Sequence, residues 1–438
     1  MSAKLTAYLD PAGCPAERPP IGQMGRATRA LHAGLDANAP WLHPTERTIQ
    51  RDLHGSPEVV AWQEAKLAFM MSGEGAWSEL PHLYARYGTP GTAELIAALR
   101  GLEHASCALV TDCGMQAFAL LVDALLGAGD HAVTLRQVYN KTRTFLELSA
   151  KRVGATVTVV DDGDLAGLAA AITPRTRFVF AETFTNPLTR AQDVPALAAA
   201  AGHAKLIIDS TIATPWAFRR PLLDAGAAVV IGSLTKALGG QDRALGGYLA
   251  TRDADLGNQV MDLIAMRGGI LDDARAQQVA SHLAIAERDH ARRCATAAEV
   301  AAFLASHPRI ERAFHPSLPD HPDAAVIARD YLRTGSLLAF RVAGLDEHGH
   351  RHLADVLAST GVPRYALSFD GLATKINHHK TVSEYFTPAD VVARSGIDRL
   401  IRLGVGLEDA ADLIACLNWT LHHAGEITAD ELTRRASE

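Results

Sequence analysis

The sequence predicts an α/β protein with a mostly parallel central sheet and a smaller C-terminal α+β unit. Three observations predict it. Between about residues 115 and 250, short apolar runs alternate with stretches at helical spacing. Those runs are apolar throughout rather than alternating with polar residues, as expected for strands covered on both faces. After residue 253 the pattern changes to long helices, then to a second mixed segment of strands and helices.

Taken in order, residues 1–50 are rich in Pro and Gly and poorly periodic, which reads as an extended arm. Residues 57–70 carry helical spacing, with Pro57 suited to a helix start. A turn is expected at Gly73 and Gly75. A helix then runs from Thr92, with Leu95, Leu99 and Leu102 on one face. The alternating region gives a helix through Met115, Phe118, Val122 and Leu125, a strand His131–Leu135 and a helix Lys141–Val153. It continues with a strand Ala155–Val160, a helix near Leu165–Ile172, a strand Phe178–Phe180 and a helix Val194–Ala201. Strands Leu206–Ile208, Val229–Ile231 and Gly247–Ala250 complete it. Long helices reach about Ser306. Beyond them come strand Leu337–Val342, helix His352–Thr360, strands Tyr365–Phe369 and Leu400–Val405, and helix Asp409–His422. The division expected is an arm over 1–75, a large domain over 76–265 and a C-terminal domain over 266–438.

Composition narrows the function. With 438 residues the chain has ample material for a buried core. Its 42 Lys+Arg and 49 Asp+Glu leave a net charge of −7, which offers no footprint for nucleic acid or an anionic membrane. Cys14, Cys107, Cys113, Cys294 and Cys416 are odd in number and contain no CxxC, so neither a disulfide framework nor a structural zinc site is indicated. The first fifteen residues lack the apolar core of a signal peptide, and no run reaches the roughly 20 apolar residues that span a bilayer. A cytoplasmic enzyme is expected.

The chemistry concentrates in IIDS (207–210) and GSLTKALGGQD (232–242). In an open parallel sheet, ligands sit beyond the carboxyl ends of the strands. Asp209 ends one apolar strand and Ser233 follows the next, so both should face one crevice, with Lys236 in a Gly-bounded loop nearby. Upstream, Cys113-Gly114-Met115 stands at a helix entry, where free N–H groups and the dipole favour an anion. A lysine for a Schiff base, a carboxylate for a ring nitrogen and hydroxyls beside a phosphate-ready helix end are what pyridoxal 5'-phosphate needs.

The chain resembles the transsulfuration-type pyridoxal-phosphate enzymes of Cys/Met metabolism, which include the cystathionine synthases and lyases and the O-acylhomoserine sulfhydrylases. The likeness runs from about residue 28 to 425. It is carried by TRALHAG (28–34), YARYGTP (84–90), LRGLEHA (99–105), CGMQA (113–117), GDHAV (129–133), ETFTNP (182–187), IDSTIATP (208–215), SLTK (233–236), the HP/LPDHP segment (315–322) and LIRLGVGLED (400–409). The resemblance implies the fold-type I, aspartate-aminotransferase-like architecture. It also implies that Lys236 bonds the cofactor and moves protons, Asp209 pairs with the pyridine nitrogen, Tyr139 stacks on the ring and Asn186 bonds the ring oxygen. Gly114, Met115, Ser233 and Thr235 would hold the phosphate, together with Tyr84 and Arg86 from a neighbouring subunit. Arg402 would clamp the substrate α-carboxylate, with Ser368 beside it. A homotetramer, built as a dimer of dimers with exchanged arms, is implied as well.

Several segments depart from that family. The helical 57–70 stretch replaces an apolar strip, FDGLATK (369–375) lacks a Glu of the Gly-Gly-x-Glu-Ser segment, and Lys141 stands where methionine γ-lyases carry cysteine. Lys141 is therefore a second base or an anchor for a polar substrate, or else a solvated lysine on a helix. Ser233-x-x-Lys236 also matches a penicillin-binding signature, yet its S-D-N and K-T-G partners are missing. A nicotinamide fingerprint fails at Gly73-Glu-Gly75, which lacks its third glycine. His348, His350 and His352 read as solvated residues on an exposed loop entering a helix rather than metal ligands, and Cys113 as a small buried residue. His378 and His379 fall in the segment that closes over the substrate in the family, and are equally readable as structural. A non-catalytic scaffold would not need Lys236, Asp209 and Arg402 together. The expected activity is β- or γ-elimination from an amino acid bearing a leaving group on Cβ or Cγ, with γ-replacement as the alternative; the departures point to a specialised substrate.

Overall fold

The structure, a computed structural model, describes residues 55–72, 80, 83–387, 392, 396–428 and 432. TRALHAG and the turn at Gly73 and Gly75 lie outside the described residues. The first helix, α1 (Ser56–Ser72), buries Trp62, whose ring meets Tyr87 at 5.8 Å, and Lys66 pairs with Asp262 at 3.0 Å. Helix α2 (Pro90–Glu103) is started by Thr89, which bonds Thr92 reciprocally in a capping box, with Pro90 in the first turn.

The alternating region folds as β1 (Cys107–Thr111), α3 (Gly114–Leu125), β2 (His131–Leu135), α4 (Asn140–Val153), β3 (Thr156–Val160), α5 (Leu165–Ala171) and β4 (Thr176–Glu182). It continues with α6 (Val194–Ala201), β5 (Lys205–Asp209), β6 (Val229–Ser233) and β7 (Gly247–Thr251). The sheet order is β1-β7-β6-β5-β4-β2-β3; β7 is antiparallel to both of its neighbours and the other pairings are parallel. Asp164, Asp193 and Asp253 cap the helices that follow them by accepting a backbone N–H, which starts each helix where a strand or loop has ended. Phe118, Phe178 and Phe180 are fully buried in the core on this sheet, Phe118 and Phe180 with ring centres 4.7 Å apart.

Two helices follow, α7 (Ala254–Arg267) and α8 (Asp273–Ser306). At 34 residues, α8 is about 50 Å long. It packs on α2 at one end and on the second sheet at the other. That sheet contains β8 (Ile310–Phe314), β9 (Leu337–Val342), β10 (Arg364–Tyr365), β11 (Lys375–His378) and β12 (Ile401–Gly404), in the order β10-β11-β12-β9-β8. Helices α9 (Ala324–Asp330), α10 (Glu347–Ala358), α11 (His379–Ser383) and α12 (Ala410–His423) accompany it, and a second core forms around Leu338, Phe340, Leu353 and Leu403.

Three sequence expectations need correction. The strand expected over Tyr365–Phe369 ends at Tyr365; the following residues form a loop, and Lys375–His378 supplies the strand instead. The polar residues Asn377 and His378 disguise that strand, although both are buried. Residues 348–352 belong to α10 rather than to an exposed loop, and His350 is wholly buried, with Nε2 accepting the Val342 N–H at 2.9 Å. Its neighbours diverge: His348 Nδ1 lies 2.9 Å from Arg351 Nη2, and His352 Nε2 lies 3.0 Å from the Ala424 carbonyl. Among the described residues no group of three His, Cys, Asp or Glu side chains is placed to hold a metal ion. Nor is any described helix long and apolar enough to cross a membrane.

One buried acid in this core has a measurable consequence. Glu103, at the end of α2, is fully buried and accepts the Tyr248 hydroxyl at 2.6 Å, while its other oxygen has no partner. Burial, opposed by that hydrogen bond, raises its pKa to about 7 from 4.5. A raised folded-state value means that the folded protein holds the proton more tightly than the unfolded chain. The group's contribution is therefore whole below pH 4.5 and lost as pH climbs to 7, on the order of 3 kcal/mol in all. Chemical denaturation at pH 5 and pH 8 tests this. Glu103→Gln, whose amide cannot ionise, should gain on the parent by about that amount between the two pH values.

Candidate active site

The parallel ladders bring the ends of β4 and β5 to one level, with β6 running two residues beyond them. Glu182, the last residue of β4, is in register with Asp209, the last of β5, which is in register with Ile231 of β6. Ser233 ends β6, and Lys236 follows in the next turn. These ends open on a cavity of about 450 Å³, closed on its far side by Arg402 of β12 and by Leu367 and Phe369 of the loop between β10 and β11.

Lys236 Nζ donates to Ser368 Oγ at 2.6 Å and lies 5.0 Å from the centre of the Phe369 ring. Burial pushes its pKa below the usual lysine value; Asp370 and Asp242 act in the other direction, and Arg402 and Lys375 add to the fall. Arg402 is 3% exposed. It donates to the carbonyls of Leu367 and Ser368 at 3.1 and 3.2 Å and to Asn186 Oδ1 at 3.4 Å, which aims the fork into the cavity. Burial lowers its pKa to about 10, still cationic at neutral pH, with Tyr139 and Asp370 opposing the fall.

Asp209 Oδ1 accepts the Thr211 N–H at 2.8 Å, and Thr211 Oγ1 in turn accepts the Ser233 N–H at 2.8 Å. No cation among the described residues pairs with Asp209, and burial raises its pKa. Glu182 lies deeper; burial and then the neighbouring Asp209 charge raise it well above the carboxylate range, so Glu182 is the neutral member of the two. It accepts the Tyr139 N–H at 2.6 Å and so fixes the start of α4, where Tyr139 presents a half-open ring to the cavity.

The phosphate end is a helix N-terminus. Cys113 stands at the N-cap of α3 without a side-chain capping bond; its carbonyl accepts the Gln116 N–H at 3.1 Å, and the start of the helix faces the cavity through Gly114 and Met115. Gly114 is required here: a Cβ at this position would lie 3.1 Å from the Ser233 Cβ. Thr235 Oγ1, which accepts the Gly246 N–H at 3.1 Å, holds its hydroxyl beside the same spot. Cys113 is half-buried and lines the cavity rather than lying in the core, and burial raises its thiol pKa, so it is no ready nucleophile. An unpaired buried carboxylate, a lysine with a depressed pKa and an open helix N-terminus around one cavity fit a cofactor with a cationic ring nitrogen, a carbonyl and a phosphate.

Most of the expected residues therefore meet. Gly114, Met115, Tyr139, Lys141, Asn186, Asp209, Ser233, Thr235, Lys236 and Arg402 line the cavity, and Ser368 reaches it through Lys236. Tyr84 and Arg86 do not: they sit together elsewhere on the protomer, where Arg86 lies over the Tyr84 and Tyr87 rings and donates to the Ala265 carbonyl. Lys141 is exposed at the mouth. His378 bonds Thr381 and the Asp398 carbonyl, each at 2.7 Å, which makes it structural; His379 is buried, and burial with Arg402 nearby holds it neutral. Neither lines the cavity. Sequence reasoning passed over Glu182, Thr211 and Phe369. The first was legible, because extending the Phe178–Phe180 strand by one alternation places Glu182 at the strand end.

Comparison with known proteins agrees with this geometry. The family model described as Cys/Met metabolism PLP-dependent enzyme matches residues 51–422. The chain is 32% identical over 402 residues to a cystathionine gamma-synthase of Mycobacterium tuberculosis, covering 91% of this chain and 97% of that protein. It is 30% identical over 403 residues to an L-methionine gamma-lyase of Fusobacterium nucleatum, covering 90% and 97%. Among solved structures it resembles metB from Corynebacterium glutamicum, with a TM-score of 0.76, 26% identity and coverage of 92% and 99%. A cystathionine gamma-lyase from Lactobacillus plantarum complexed with L-serine gives a TM-score of 0.73 at 30% identity, covering 78% and 89%. With Lys236, Asp209 and Arg402 converging on one cavity and the family's sequence pattern running through nearly the whole described chain, the protein belongs to the Cys/Met metabolism family of pyridoxal-phosphate-dependent enzymes.

Proposed function

We propose that this enzyme eliminates a leaving group from Cβ or Cγ of an L-amino acid. The carrying observation is the cation inventory of the cavity: Lys236, Arg402 and Lys141. Lys236 is committed to the cofactor and Arg402 to the substrate carboxylate, which leaves one exposed lysine at the mouth. Among the described residues, the rest of the outer wall is Leu245, Leu367, Val382, Tyr385 and Phe386, with the Ser383 hydroxyl among them. An amino-acid nucleophile for a replacement reaction brings a second carboxylate, and the described residues of this wall offer it no buried partner.

When bound, pyridoxal phosphate supplies an electron sink for the carbanion at Cα. The protein does the rest. Arg402 binds the α-carboxylate as a fork and thereby turns the Cα–H toward Lys236. The lysine amine, its pKa lowered by burial, is a better base for that proton than an exposed lysine and can pass it on to the departing side. Ser368 Oγ orients Nζ, Asp209 keeps an anion against the ring nitrogen, and Phe369 excludes water between the two cations. Gly114, Met115, Ser233 and Thr235 hold the phosphate, Tyr139 covers the ring and Asn186 bonds its oxygen.

Lys141 favours one second reading. If it anchors an anionic nucleophile, the reaction is γ-replacement. Incubating the loaded enzyme with amino acids bearing Cβ or Cγ leaving groups decides between them. Elimination releases ammonia and a keto acid with no nucleophile added; replacement waits for a thiol and then consumes it. Lys141→Met sharpens the result. Under elimination of an uncharged leaving group, kcat/KM should fall less than about threefold, the scale of an exposed charge, whereas under replacement the KM for an anionic nucleophile should rise well beyond that.

The working unit in this reading is a homo-oligomer, a tetramer built as a dimer of dimers, in which Tyr84 and Arg86 reach the phosphate of a neighbouring subunit. Residues 76–265 form the cofactor domain and 266–438 the C-terminal domain in this reading. No disulfide joins Cys113, Cys294 or Cys416, which suits a reducing cytoplasmic setting. Co-expression of Arg86→Ala with Lys236→Ala chains tests the sharing. Each variant alone should be nearly inactive, while hybrids contain one intact site, so about a quarter of parental activity should return from random pairing. No return would place Arg86 in its own chain's chemistry.

A further inference from the structure

Behind Lys236 lies a buried charged cluster that the reaction as described does not use. Asp370, two residues past Ser368, is 1% exposed and has φ +58°. Its Oδ1 accepts the Ser336 hydroxyl, and its Oδ2 has no hydrogen-bond partner. Arg293, midway along α8, is wholly buried. Its Nε donates to the Gly371 carbonyl at 2.9 Å and its Nη2 to the Gly240 carbonyl at 2.8 Å, while Nη1 is unbonded. Gly240 follows Lys236 by four residues, and Gly371 follows Ser368 by three. One guanidinium thus ties together the two loops whose side chains meet at Lys236 Nζ and Ser368 Oγ.

Stability alone does not account for this arrangement. A non-glycine residue in the left-handed region costs about 1 kcal/mol, and burying a carboxylate and a guanidinium costs several more before their attraction is counted. Glycine would occupy position 370 without either expense. What Asp370 adds is a carboxyl group where cations crowd: burial raises its pKa, and Arg293, the Ser336 hydroxyl, Lys236 and Lys375 all act to hold it as the anion. Lys236 faces Arg402 and Lys375 as repelling groups, and Asp370 and Asp242 as attracting ones; Lys375 itself donates to Asp242 and to the Asp370 carbonyl. Of the two acids, Asp370 is the buried one and acts more strongly on the lysine.

We propose that Asp370, bonded by the Ser336 hydroxyl on a loop that Arg293 ties down at the Gly371 carbonyl, is a positioning residue for Lys236: its carboxyl group offsets the surrounding cations, and its loop keeps Ser368 on the lysine nitrogen. The inference rests on the cofactor linkage at Lys236 and is independent of whether elimination or replacement follows. Neither Asp370 nor Arg293 lines the cavity, so both act through Lys236 rather than on substrate.

The test uses the loaded holoenzyme and the pH titration of its visible absorption band, which reports protonation of the lysine–cofactor linkage without turnover. Asp370→Gly removes the carboxyl group and relieves the backbone at φ +58°, which offsets part of the cost of leaving Arg293 without its facing acid, so folding of the variant is checked by circular dichroism before the titration. Its band midpoint should fall by about one pH unit, because the protonated linkage loses a nearby anion. Asp370→Asn, which keeps the side-chain volume, should shift the same way. Arg293→Lys retains the charge but reaches only one of the two carbonyls; it should leave the midpoint in place and lower kcat about tenfold with little change in KM. A midpoint within about 0.2 unit of the parent in folded Asp370→Gly and Asp370→Asn would overturn the assignment, and so would a kcat of Arg293→Lys equal to the parent's.

Discussion

The site depends first on strand register. The backbone ladders that pair Glu182 with Asp209 and Asp209 with Ile231 set the carboxyl ends of β4 and β5 at one height and that of β6 two residues beyond, and everything placed past them inherits that step. Slipping one of these strands by a single residue would turn each side chain to the opposite face and send Asp209 into a helix layer. The buried, apolar interiors of β4, β5 and β6 forbid such a slip. The chemistry is thus positioned by residues that take no part in it, chiefly Val179, Phe180, Ile207, Ile208 and Val230, all of them fully buried.

On that platform the electrostatics are arranged by depth. The acids of the large sheet form a graded pair: burial raises both, and Glu182, deeper and beside the Asp209 carboxyl, is raised further, so the proton is weighted toward Glu182 and the negative charge toward the ring position. Across the cavity the charges are mainly positive, with Lys236 and Arg402 both within 5.5 Å of the Phe369 ring centre. An aromatic ring beside two cations shields them from water while its face tolerates the charge. The two walls come from different sheets, and the loop over residues 366–374 carries the second wall to the first.

Much of this was legible in the sequence because it follows from local chemistry. The alternation of apolar runs and helices, the Asp caps, and the lysine and aspartate at strand ends each report their own surroundings. Strands His131–Leu135 and Leu337–Val342 and helix Val194–Ala201 fall where periodicity alone places them. Illegible were elements whose burial is decided at long range. Lys375–His378 is polar in sequence, yet it forms an interior strand because β12 and β10 pair on either side of it. His350 is an apolar-face residue in all but name, satisfied by a backbone N–H that only the fold brings to it. Arg293 shows the same limit most clearly, since nothing in a run of helix-forming residues announces a guanidinium that bonds two loops.

The long helix α8 carries a consequence for how the molecule comes apart. It supplies Val279 to the core of the first sheet and Val300 and Leu304 to that of the second, and these are turns of one continuous hydrogen-bonded rod. Neither core can open widely without baring a flank of that rod. The two sheets are in this sense welded into one cooperative unit, and the amide protons along the middle of α8 belong to the part of the protein that exchanges with solvent last.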